Sequence, residues 1–368
     1  MQENTVYQRL AEHLSCLGMG YPCREDLLEI LKENFSEKEA AVALAIPNTV
    51  IPLQPIGVEE IERSIDLPRE DLLGILNHLA EKGLIYSGKM ENGAMGYALH
   101  QVGFGFPQTF FWRGKDTPHA RKMATLTAKY FNRKVTQEAF SSSSDPKPYR
   151  YIPVGRSLEV SKQAVLPLHM MEKVIEDAKR IAVAHCACRM VYRLAGKSCE
   201  HSTEVCLKFN AMASYTIERG FAREITKEEA LRLVLKAEEE GLVHFVDNAE
   251  GEIQHNCNCC GCACWNVGNI RRRKIPRDSL MCTYFIRRTS AEECTGCGAC
   301  AEICPVDAIK VEAGSAVVDE EWCIGCGVCS MVCGTGAVSI VLRPDRSGRL
   351  PASSFQELHE MIRKRKGL

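Results

Sequence analysis

The chain has 368 residues, 45% hydrophobic and 25% charged, with 46 basic and 47 acidic residues and a net charge of −1. That is room for two or three domains with ordinary cores, and a balance that excludes any general pull toward nucleic acid or an anionic membrane. Twenty cysteines, behind an opening MQENTVYQRLAEHLSCLGMGYP with neither a basic nor an apolar leader segment, are expected to stay reduced in the cytoplasm and to serve metals rather than disulfides. No run approaches the roughly 18 consecutive apolar residues of a membrane span.

Residues 7–45 read as helical, with Leu27, Leu28, Ile30, Leu31 and Phe35 forming an apolar stripe and Cys16 and Cys23 as ordinary thiols, until Pro47, Pro52 and Pro55 end the pattern. Next come VEEIERSIDLP, a helix opened by Pro68 and closed near Gly83, and SGKMENGAMGYALHQV with a turn at Glu91-Asn92-Gly93. Helix, turn, helix and hairpin in this order resemble a winged helix-turn-helix. DNA binding is nevertheless not expected. Between Arg24 and His100 acidic residues are twice as many as the seven basic ones, and the candidate recognition helix begins Arg69-Glu70-Asp71, with carboxylates where phosphates would be met. A scaffold or protein-docking role is the expectation for a winged-helix-like domain over 1–112.

A helix is expected within 113–140, and SSSSDPKPYRYIPVG reads as a polar, proline-containing linker and the main boundary, so that 113–165 is helix and linker. Further helices are expected over 168–184, 211–219 and 226–240. A capping box of Thr226 and Glu229 starts the last, and Gly241 stops it.

The first of these runs into HCACR, where Cys186, Cys188, Cys199 and Cys206 form C-x-C-x10-C-x6-C. Four thiolates on one segment close a site without outside help, either a third 4Fe-4S cube, favoured beside two other clusters, or a four-thiolate zinc site. Arg189 lies either against such a site or on the surface in a salt bridge. His185 and His201 are expected to pack beside the thiols rather than bind. The group HNCNCCGCACW crowds Cys257, Cys259, Cys260, Cys262 and Cys264 into eight residues. A fourth 4Fe-4S cluster is the first expectation, held by Cys257, Cys260 and Cys264 and completed by Cys259, Cys262 or Cys282, with zinc as the alternative. Residues 166–275 thus read as a helical, Cys-rich iron–sulfur domain.

Cys294, Cys297, Cys300 and Cys304 recur 29 positions later as Cys323, Cys326, Cys329 and Cys333. Iron held by sulfide prefers soft thiolates, and three at this spacing wrap three corners of one cube. Gly296, Gly298, Gly325 and Gly327 let the chain turn tightly there. Residues 287–341, through CTGCGACAEICPVDAIKV and CIGCGVCSMVCGTGAVSI, resemble the bacterial-type two-4Fe-4S ferredoxin domain. The resemblance implies that the last cysteine of each run binds the other cluster. One cube then takes Cys294, Cys297, Cys300 and Cys333, and the second takes Cys323, Cys326, Cys329 and Cys304. Gly334 replaces the family's usual second proline and removes no ligand. The domain is expected over 276–345, with a helical basic tail over 346–368.

GMGYP, the winged-helix-like segment, HCACR, CNCC and the terminal cluster pair together resemble the large ferredoxin-type, dicluster-domain iron–sulfur proteins of anaerobic bacteria. The expected fold is α+β, with two to four 4Fe-4S clusters and zinc as an option in the middle. The resemblance implies electron transfer, as a carrier or as a wiring subunit of an anaerobic oxidoreductase. Neither a Rossmann nor a Walker loop occurs in the sequence, so substrate chemistry is left to a redox partner. The alternatives are a redox-sensing winged-helix transcription regulator and an iron–sulfur enzyme with a substrate-accessible cluster. The basic runs Arg271-Arg272-Arg273-Lys274, Arg287-Arg288 and Arg363-Lys364-Arg365-Lys366 either steer an acidic partner or form solvated faces.

Overall fold

The computed structural model describes residues 5–18, 20–48, 51–103, 105–139, 145–155, 157, 170–346 and 348–367. Helices α1 (Val6–Ser15), α2 (Glu25–Asn34) and α3 (Glu37–Ala45) occupy the first expected helical stretch. Ser36 and Glu39 form a reciprocal capping box at the start of α3, satisfying N–H groups that the first turn leaves without partners. α4 (Val58–Glu62) and α5 (Arg69–Lys82) follow, then the antiparallel hairpin of β1 (Ile85–Lys89) and β2 (Met95–Leu99). Gly83 ends α5 at φ 75°, and a Cβ there would press on Thr109 and Phe221. A two-residue parallel pair, β3 (Gln101–Val102) with β4 (Gly105–Phe106), leads to α6 (Pro118–Tyr130) and α7 (Arg133–Ala139).

The middle region corrects the helical expectation. It is built on six strands: β5 (Tyr149–Ile152), β6 (Ile181–His185), β7 (Glu204–Phe209), β8 (Arg223–Glu224), β9 (Val243–Asp247) and β10 (His255–Cys259). Their order is β5-β9-β10-β7-β6-β8, antiparallel throughout. The expected helix over 168–184 is α8 (Met171–Asp177) followed by strand β6; residues 168 and 169 lie outside the described residues. IAVAH and VHFVD are buried on both faces, so they show no alternation, and a short apolar run of that kind carries no period that separates strand from helix. The expected linker also ends early, because Tyr149–Ile152 is a fully buried strand of the same sheet. α9 (Ala187–Leu194), α10 (Asn210–Glu218) and α11 (Lys227–Glu239) complete the region. Thr226 caps α11 by accepting from the Glu229 N–H, but the Glu229 carboxylate pairs with Arg223.

Beyond the sheet lie α12 (Val267–Arg273), α13 (Arg277–Leu280) and two repeats of loop, one-turn helix and strand. β11 (Phe285–Thr289) pairs with β14 (Val338–Leu342), and β12 (Ile309–Glu312) with β13 (Ser315–Val318), both antiparallel. The short helices α14 (Ala299–Glu302) and α15 (Val328–Met331) follow the two thiol loops. α16 (Phe355–Arg365) returns to the N-terminal region, where the Lys366 ammonium bonds the Gly18 carbonyl. One apolar cluster runs without a break from Leu10 through Trp112, Phe245 and Cys264 to Val338. Among the described residues no helix is long and apolar enough to cross a membrane.

Candidate metal centres

Each C-terminal thiol loop bends where glycine permits it. Gly296 and Gly325 sit at φ 65° and 64°, and a Cβ at either would lie within 2.4 Å of a backbone carbonyl. Cys304, Cys323, Cys326 and Cys329 line one small cavity. This is the set that the ferredoxin resemblance gives to the second cube. Cys294 and Cys297 face Cys300, and Cys297 is exposed. The Ser290 N–H bonds the Ala337 carbonyl, which holds the Cys333 loop beside the first run. Backbone N–H groups aim at sulfur: Ala316 at Cys294 and Ala308 at Cys304, both at 3.3 Å. Donors to Cys294 hold its thiol below its ordinary pKa, whereas burial keeps Cys326 well above it and pushes Cys329 up to about 12.

Arg287 corrects the reading of a partner-steering run. It is 1% exposed, lines the cavity of the second set, and reaches the Cys300 sulfur at 3.7 Å. Its Nε and Nη1 have no protein partner. Buried N–H groups between two thiol sets fit sulfide acceptors, so the residues suit the clusters that the resemblance implies. Arg288 pairs with Glu320, and Arg271 with Asp307. Lys366 bonds the Cys16 and Gly18 carbonyls, and Arg365 the Pro146 carbonyl.

The nine middle thiols are grouped by strand pairing, not by chain order. In the β7–β10 register His255 faces Lys208 and Asn256 faces Leu207, so Cys206 and Cys257 oppose each other across the ladder. Cys186 follows β6, whose Ala184 faces Cys206. The result is one group of Cys186, Cys188, Cys206, Cys257, Cys259 and Cys264 linked sulfur to sulfur, with Cys259 and Cys264 3.1 Å apart and Cys186, Cys188 and Cys257 half-buried. Within it protons are shared unequally. Hydrogen bonds from neighbouring thiols hold Cys186 and Cys257 below the ordinary range, and burial is outweighed in the same way at Cys264. Their partners Cys188, Cys206 and Cys259 are held well above it.

Arg189 lies fully buried against this group, donating from Nη1 to the Asn258 carbonyl while its Nε and Nη2 find no protein partner. Its guanidinium stays charged in spite of burial because Cys186, Cys260 and Cys259 face it. Six neighbouring sulfurs beside the buried cations Arg189 and Lys208 suit a metal centre, which would take its ligands as thiolates.

Cys199, Cys260 and Cys262 stand apart from the six, together with His201. Neither sequence-derived set of four is therefore assembled as expected: Cys199 leaves the first, and Cys260 and Cys262 leave the second. Cys282, the other candidate fourth ligand, is buried beside Tyr284 with its thiol pushed up to about 11 by burial. His185 bonds the Thr203 hydroxyl at 3.0 Å. Sequence reasoning missed Tyr151. Its phenol is 1% exposed without a hydrogen-bond partner, and its pKa is raised first by burial, then by the nearby thiols Cys264, Cys259 and Cys326.

No curated protein and no solved structure matches the chain. A family model described as a 4Fe-4S binding domain matches residues 288–310 and 316–339, the two stretches that carry the repeated thiol runs. The C-terminal part of the chain thus carries two 4Fe-4S binding repeats.

Proposed function

We propose that the chain is an electron conduit, a carrier or a wiring subunit for a redox partner. The observation that supports this reading is the succession of neighbouring groups: the six-thiol group, Tyr151, the Cys326 set, Arg287, the Cys300 set and finally exposed Cys297. Iron–sulfur clusters at these positions supply one-electron redox chemistry. The protein's part is to hold the thiols, keep water from the inner groups, and place Arg189 and Arg287 where a guanidinium favours added negative charge. Cys297 gives the partner its point of approach.

The N-terminal winged-helix-like region belongs to this reading as a docking scaffold. Arg69 is engaged by Glu59 and Glu62, Lys38 by Asp71, and Lys82 by Glu39, which leaves little cationic surface for phosphates. The hairpin is also occupied, since the Tyr215 hydroxyl donates to the Ile85 carbonyl and Arg219 to Ser87. A DNA-reading regulator is disfavoured on both counts.

The test is iron and sulfide analysis of anaerobically purified full-length protein. About twelve iron atoms per chain are expected, eight from the ferredoxin pair and four at the six-thiol group. Cys264→Ala is expected to lose about four and retain about eight. Eight in the wild type, with the six thiols freely alkylated, would remove the inner group from the conduit.

A further inference from the structure

We propose that Cys199, His201, Cys260 and Cys262 bind a single zinc ion, a site distinct from every iron–sulfur group above and independent of the conduit reading. The four ligand atoms all lie within 4.8 Å of one another. Cys199 Sγ is 3.2 Å from Cys262 Sγ and 4.0 Å from Cys260 Sγ, while His201 Nδ1 is 3.5 Å from Cys199 Sγ and 3.7 Å from Cys262 Sγ. A tetrahedral zinc with Zn–S near 2.3 Å and Zn–N near 2.0 Å requires edges of about 3.8 Å between sulfurs and about 3.5 Å between sulfur and nitrogen. The observed edges lie around those values. Three thiolates and one imidazole are a ligand set that a single zinc ion takes, whereas cubes of the type above are held by four thiolates.

The surroundings suit a closed structural site. Cys199 and Cys260 are buried, and Cys262 and His201 half-buried. Both loops are held by arginines through their carbonyls: Arg193 donates to Cys199 and His201, and Arg272 to Gly261, Cys262 and Cys264. The Ala263 N–H points at the Cys260 sulfur at 3.4 Å, a contact that favours thiolate. Three thiolates and a neutral imidazole leave the bound ion with one net negative charge, and the Arg189 guanidinium faces Cys260 to offset it. The ion would staple the loop after α9 to the turn after β10. That turn begins at Cys259, the last residue of β10, and carries Cys264 of the same six-thiol group, so zinc would fix their positions from outside.

The experiment is metal analysis and zinc-edge X-ray absorption on the full-length protein purified without added zinc. About one zinc per chain is expected, with three sulfurs near 2.3 Å and one nitrogen near 2.0 Å. Cys262→Ser is expected to lose that zinc. His201→Cys is expected to keep it in an all-sulfur shell, a change that mere packing of the histidine would not produce. Absence of stoichiometric zinc, iron in its place, or a wild-type zinc shell without nitrogen would each overturn the proposal, whether or not the serine variant folds.

Discussion

At the scale of single residues, the groups that matter most are charges placed where water is absent. Arg287 looks like half of a surface doublet in the sequence, yet only Arg288 behaves that way, through Glu320. A guanidinium buried between two thiol sets favours the reduced, more negative state of whatever they hold. Arg287→Met keeps much of the volume and removes the charge. It is expected to lower the reduction potential of the C-terminal pair by about 60 mV or more, the one-electron equivalent of ~1.4 kcal/mol. An unchanged potential in an electrochemical titration would contradict the placement.

His359 gives a second test at this scale. Burial, with a smaller effect from Lys366, pushes its pKa down to about 3, against an ordinary 6.5. Between those values the unfolded chain holds a proton that the fold does not, so stability falls as pH drops through 6.5 and keeps falling toward 3. Between about pH 7.5 and about pH 5.5 this one group costs on the order of 1 kcal/mol. His359→Leu is expected to reduce the slope of that part of the pH dependence in chemical unfolding, while buried His100 and His255 keep their share. A wild-type slope in the variant would show that the imidazole is solvated.

At the scale of elements, caps and turns follow local chemistry, while strands depend on what covers them. Pro68, Gly83 and Gly93 mark α5 and the β1–β2 turn as read from sequence, because each acts through its own backbone. The Glu229 carboxylate was free to choose, and Arg223 outcompetes the cap. The turn after β10 shows how an element is constrained by its neighbour: a Cβ on Gly261 would sit 2.3 Å from the Pro305 carbonyl. Gly261→Ala is therefore expected to cost about 1–3 kcal/mol by forcing the thiol turn off the ferredoxin segment. Thermal unfolding monitored by cluster absorbance measures it, and a neutral result would mean that the two segments move apart at no cost.

At the scale of the whole molecule, the regions that composition separates are joined by one core. Trp112 and Phe111 share it with Met190, Phe221 and Phe245, and the hairpin sits on α10 through the Tyr215 hydroxyl. Deleting residues 1–112 is accordingly expected to yield an aggregation-prone fragment depleted of inner iron, checked by solubility and metal content. A soluble fragment with wild-type iron would restore the boundary that the linker composition suggests. The sequence by itself determined the ferredoxin repeats, because a cube draws three thiolates from seven consecutive residues and so leaves a local spacing to read. It also marked Cys186–Cys264 as a second thiol-rich region. Only the tertiary structure decided how those nine thiols divide. Cys206 meets Cys257 because β7 pairs with β10, and Cys199 meets Cys260 and Cys262 across 61 and 63 positions of chain. Ligands brought together by strand register leave no spacing along the chain, and the short buried runs that set the register carry no period of their own.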